Sequence, residues 1–78
     1  MADDQLEERW RELVEAVQRV MVNQAHSVLD KNVLARKLSL PLPDGSRCAR
    51  TFTEDEILNG DLDQLAHDFY EHYRAGCN

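Results

Sequence analysis

Apolar residues recur at helical spacing along the first third of the chain. Leu6, Trp10, Leu13, Val14, Val17, Val20, Met21, Ala25 and Val28 fall within about 140° of one face at 100° per residue. The pattern predicts a helix over about 3–29, a stretch without Gly or Pro. Asp3 or Asp4 is placed to cap it, and Glu7 and Glu8 sit where the positive end of the helix dipole favours anions. Glu15 and Arg19 have the spacing of an i,i+4 ion pair. At 1.5 Å per residue the stripe runs roughly 33 Å. The rest of the chain is short for covering it, so part of it is expected to meet a second chain. Leu6, Trp10, Leu13, Val17 and Val20 follow alternating +4 and +3 steps, as in a coiled-coil seam. Gln24 continues that rhythm, either as the exposed end of the seam or as a register-setting polar contact. A homodimer is the resulting expectation, with Trp10, Leu13, Val17, Val20 and Gln24 as its self-association residues.

After residue 32 the period shortens to two. Leu34, Leu38, Leu40 and Leu42 alternate as in a half-buried strand, and Pro-Asp-Gly-Ser at 43–46 is a turn. Pro43 presets φ there and Gly45 tolerates φ > 0. Arg47 to Phe52 reads as the returning strand, giving a two-stranded hairpin over 33–52. Pro41 has no amide hydrogen, so its strand is expected at an edge, or the proline at the rim. The rival reading continues a helix through Val33–Leu38. Thr53 and Glu56 then form a capping box for a short helix over 54–58, which Asn59-Gly60 ends. Asp61 with Gln64 repeats the capping pattern. Leu62, Leu65, Ala66, Phe69 and Tyr73 give one apolar face of a helix over 61–75, with Gly76 as its stop. The sum is an α+β fold in a single small domain, 1–78: long helix, antiparallel hairpin, short helix and C-terminal amphipathic helix.

A 78-residue chain buries only about 60% of the surface its unfolded form exposes, so an extra source of stability is expected. An internal disulfide is not the expected source, because Cys77 sits at the C-terminal end and two cysteines make no secreted framework. The N-terminus Met-Ala-Asp-Asp does not read as a signal peptide, and no apolar run reaches the ~20 residues of a membrane span. A cytoplasmic location, off the membrane, is the corresponding expectation. The net charge of −6 is sorted by segment. Residues 1–30 hold seven acids against three bases, residues 31–53 five bases against Asp44, and residues 54–78 seven acids against Arg74.

Catalytic chemistry has little to stand on, and no enzyme activity, metal or cofactor is expected. Asp63, His67 and Glu71 lie four apart on the last helix, but a mononuclear metal site needs further ligands that no second cluster supplies. His67 to His72 misses the zinc-protease spacings. Cys48, between Arg47 and Arg50, lacks a base paired to it and reads as a half-buried strand residue. The glycines at 45, 60 and 76 stand alone and form no phosphate loop.

Surface chemistry remains. The basic 31–53 hairpin could enter a nucleic-acid groove, but acidic flanks oppose it, and Lys31, Arg36, Lys37, Arg47 and Arg50 are expected to pair with helix carboxylates. Glu54, Asp55, Glu56, Asp61 and Asp63 form a dense acidic group and are the expected partner-binding residues. Such an array can also imitate phosphates and occupy a DNA-binding protein's groove. Locally, Leu40-Pro41-Leu42-Pro43-Asp44-Gly45-Ser46-Arg47, followed by Phe52 and a helix, resembles the opening hairpin of ubiquitin-like UBX domains. The resemblance covers about thirty residues and carries no function or site. The expected function is a small acidic, non-enzymatic protein-interaction module: a regulator, adaptor or inhibitor that occupies a partner's surface. Inhibition by DNA mimicry and nucleic-acid binding through the hairpin are the alternatives.

Overall fold

A computed structural model describes residues 2–21 and 29–76. Its element order is α1 (Ala2–Val20), β1 (Asp30–Asn32), β2 (Lys37–Pro41), β3 (Arg47–Thr51), α2 (Glu54–Asn59) and α3 (Leu62–Arg74). The class is α+β, as the hydrophobic pattern requires. The strands form one antiparallel sheet in the order β1-β2-β3, with Lys31 opposite Leu38, and Leu38 and Leu40 opposite Arg50 and Cys48.

Three boundaries depart from the sequence expectation. Asp3 and Asp4 lie inside α1, whose last residue is Val20, while Met21 is in a turn and Leu29 is not helical. Residues 22–28, including Gln24, lie outside the described residues. The expected hairpin is a three-stranded sheet, because 33–36 is a turn and the leucine alternation begins only at Leu38. Pro41 ends the central strand, so its missing N–H falls at the rim.

Local chemistry sets the remaining boundaries. Asp44 accepts from the backbone N–H and hydroxyl of Ser46 at 2.9 and 2.6 Å, and Gly45 takes φ 94°. Those two bonds to the ionised form hold the Asp44 carboxyl below its ordinary range. The capping box of α2 is complete: Thr53 Oγ1 accepts from the Glu56 N–H, and Glu56 Oε1 accepts from the Thr53 N–H. Gly60 then lets the chain turn tightly, since a Cβ there would lie 2.4 Å from the Glu56 carbonyl oxygen. Asp61 caps α3 through the N–H groups of Asp63 and Gln64.

The core is one cluster to which every layer contributes. α1 provides Leu6, Trp10, Leu13, Val14, Ala16 and Val17, the sheet Leu38, Leu40 and Cys48, and α2 and α3 Ile57, Leu62, Ala66 and Phe69. Phe52 sits in the middle, edge-on to Trp10 at 6.4 Å and to Phe69 at 6.3 Å between ring centroids. This corrects the seam reading. Leu13 and Val17 have no exposed surface and Trp10 only 6%, so these residues pack on their own chain and form no coiled-coil seam. Val20 is half-buried against the same cluster. From Leu6 to Met21 the stripe is covered because α3 and α2 both lie along α1.

Cys48 supplies a second correction: it is fully buried and disulfide-bonded. The chain's only other cysteine is Cys77, outside the described residues.

Two measurements check this arrangement. Val17→Glu should lose about 3–5 kcal/mol, because it places an uncompensated charge in the core. A domain this small has about that much stability in total. The variant should therefore unfold by circular dichroism. A folded Val17→Glu with halved mass would restore the dimer seam instead. Thiol labelling of the unreduced, denatured protein should find no free cysteine, and reduction should remove about 2–4 kcal/mol in urea titration. A labelled Cys48 would overturn the bridge.

Candidate functional site

The expected partner-binding carboxylates lie at the surface, Glu56 half-buried and the other four exposed, and each has a partner within the chain. Glu56 pairs with Arg50 at 2.6 Å as well as closing the capping box. Glu54 meets Arg36 at 3.8 Å, and Asp55 accepts from the Asn59 side chain at 3.0 Å. Asp61 caps α3, and Asp63 reaches Arg19 at 3.5 Å. Arg19 pairs there across helices, not with Glu15 on its own helix. Each of the five acids has an intramolecular partner, so the array is partly neutralised as folded.

The basic segment is divided in the same way. Arg36 and Arg50 are engaged by α2 carboxylates, and the Arg50 guanidinium also lies 4.5 Å over the Phe52 ring. Arg47 crosses the outer face of the sheet to Ser39 Oγ, 3.1 Å away, and to Asp30 at 3.9 Å. Lys31 and Lys37 make no ion pair among the described residues. The hairpin thus presents no continuous row of free cations.

Other sequence candidates stay apart. Asp63, His67 and Glu71 are exposed, with Asp63 engaged by Arg19 and Glu71 by Arg74. Among the described residues no group of three His, Cys, Asp or Glu side chains is placed to hold a metal ion. A cleft of about 490 Å³ between α1 and the α2–α3 junction is walled by Arg9, Glu12, Glu15 and Asp63. Arg9 acts there as scaffold, donating through Nε and Nη2 to the Ile57 and Gly60 carbonyls, both at 2.8 Å. Those two bonds satisfy acceptors at the C-terminal end of α2.

The surface that stands out was not singled out from sequence. Leu34 is 93% exposed and Val33 58%, and they are the large exposed hydrophobics among the described residues. Both sit on the turn between β1 and β2. Asn32 Oδ1 accepts from the Ala35 N–H at 3.0 Å, and Val33 O accepts from the Arg36 N–H. Arg36 itself adopts φ 51°, a left-handed conformation that disfavours a side chain of this kind by roughly 1–2 kcal/mol. It is held there at both ends. Its carbonyl accepts from the Phe52 N–H at 2.9 Å and its guanidinium meets Glu54.

The tip overhangs α1 and leaves a groove between them. One hollow, about 290 Å³, is lined by Leu6, Trp10, Val33 and Leu34; the next, about 320 Å³, by Trp10, Val14 and Val33. Glu7 borders both, with Arg36, Arg11 and Lys31 along the rim. Only Asn32 signals this turn in the sequence. Val-Leu-Ala-Arg contains no turn-forming residue, and its leucine continues the strand rhythm by coincidence.

Compared with protein-family models, with curated proteins and with solved structures, the chain matches none. No helix among the described residues is long and apolar enough to cross a membrane.

Arg50 is the scaffold residue with the clearest measurable role. Arg50→Gln should lower stability by about 1–2 kcal/mol in urea titration, through lost charge-assisted hydrogen bonding and ring contact. That figure already allows for the one-third exposure of both partners. An unchanged midpoint would show that the pair adds nothing.

Proposed function

We propose that this chain is a non-enzymatic protein-interaction module that meets its partner through the β1–β2 tip. One observation carries the reading: Leu34 and Val33 are held out to solvent on a turn pinned to the core. Scattered single hydrophobics on a surface need no explanation. Here two adjacent ones border an apolar groove, on a turn that Arg36 closes in a disfavoured backbone conformation. Strain maintained at a surface turn supports a presenting role. A pre-ordered tip also loses little conformational freedom on binding, which favours affinity.

The partner surface thereby moves from the five acids to the tip, and self-association through α1 is not carried forward because its seam is core. The module acts as an adaptor or inhibitor by occupying a partner's surface. The cytoplasmic location expected from the sequence is not carried into this proposal. The disulfide at Cys48 weighs against a reducing compartment, since such bridges persist mainly in oxidising ones. The thiol state of protein isolated under acid quench therefore tests the location.

Leu34→Asp tests the function. Its stability should stay within about 0.5 kcal/mol of the parent chain, as for a surface substitution away from packing. Proteins cross-linked to the parent chain in its native host should be absent with Leu34→Asp and retained with Gln64→Glu, an exposed change on α3. Equal recovery with all three would remove the tip as the contact surface.

A further inference from the structure

The groove beneath the tip has a local charge opposite to that of the whole molecule. Its two hollows together carry Arg11, Lys31 and Arg36 against Glu7 alone, on a chain of net charge −6. Arg11 is 3.9 Å from Glu7 across an exposed, easily exchanged pair, whereas Arg36 stays with Glu54 at 3.8 Å. Lys31 is exposed and has no ion-pair partner among the described residues. A cationic rim around an apolar floor calls for an occupant of the reverse kind.

We infer that the groove takes an acidic peptide segment of a partner protein, carrying two apolar anchors, one for each hollow. This rests on the tip being the contact surface and adds the chemistry of what it contacts. Each hollow, near 300 Å³, lies at the lower limit for a small-molecule site and is open to solvent, so it suits a side-chain anchor. The floor runs along α1 from Leu6 to Val14, about 12 Å at 1.5 Å per residue. That length places two anchors roughly one helical turn apart, the i and i+4 spacing of a peptide lying in a groove. Trp10 lines both hollows with the small part of its ring left exposed, so an occupant would change its surroundings. Acidic residues between the anchors would face Lys31 and Arg11, steering encounter and fixing direction. A second copy of this chain is the less suited occupant. Its acidic residues near α2 are engaged by its own arginines, and its α1 stripe is core.

Trp10 is the only tryptophan, so its emission reports occupancy of the groove directly. The probe is a synthetic 14-residue peptide with leucines at i and i+4 and glutamates at most other positions. Two control peptides replace either the glutamates by lysine or the leucines by serine. The acidic leucine peptide should shift Trp10 emission saturably, with affinity that falls as salt rises. Both controls should bind at least about tenfold more weakly. Lys31→Glu with Arg11→Glu should reverse the preference towards the lysine peptide while leaving the thermal midpoint unchanged. Equal binding of the glutamate and lysine peptides, or no response to the acidic one, would overturn the inference. A change of Trp10 emission on simple dilution of the protein would overturn it as well, in favour of a second copy. None of these outcomes decides the tip itself, which stands or falls on the Leu34→Asp cross-linking.

Discussion

Phe52 is the point at which the three layers are joined. Its ring meets Trp10 of α1 and Phe69 of α3 edge-on, in the geometry that aligns the positive rim of one ring with the negative face of the next. Its other face is covered by the Arg50 guanidinium, which is fixed in turn by Glu56. Its backbone N–H donates to the Arg36 carbonyl and so ties the tip to the aromatic cluster. One residue thus couples helix packing, the start of α2 and the position of the exposed turn. A 78-residue chain has little core to spare, and concentrating contacts on one ring is an economical solution.

That coupling explains how the stripe from Leu6 to Met21 is covered within the chain. A single amphipathic helix of this length looks uncovered if the remaining elements are thought of as lying side by side. They do not. α2 and α3 are linked only by Gly60 and Asp61, and both return along α1, with Arg9 bonding the carbonyls at their junction. The exposed face is closed by topology, which a periodicity argument on one segment does not see. The same holds for Glu15 and Arg19, whose favourable spacing is outweighed by Asp63 brought in from 44 residues away.

Much of the local structure was legible because it rests on short-range chemistry. The capping box at Thr53 and Glu56, the Asp61 cap, the turn at Asp44–Gly45 and the apolar face through Leu62, Ala66 and Phe69 all act within a few residues. The α1 end at Val20 and the third strand were not legible. β1 is three exposed polar residues, Asp30 to Asn32, with no alternation to reveal it. It exists because β2 offers an open edge, and its brevity and its lysine make a poor template for further pairing. The tip was hidden for a related reason. Leu34 keeps the rhythm of Leu38 and Leu40, and only the pairing of Asn32 with Lys37 shows that the strand starts later.

The exposed tip and the sealed stripe are two results of one constraint. Pairing β1 against β2 forces a four-residue connection, and the connection must place one residue in the left-handed region to close. Glycine or asparagine would do this with less strain. Arg36 instead brings a long side chain that reaches Glu54 on α2, so the turn is anchored to the helix layer at the expense of backbone comfort. Anchoring fixes where Val33 and Leu34 project, beside the hollow that Leu6 and Trp10 line. An apolar surface kept open in this way, with positive charge gathered round it on an acidic protein, favours a partner of complementary chemistry over further burial within the chain.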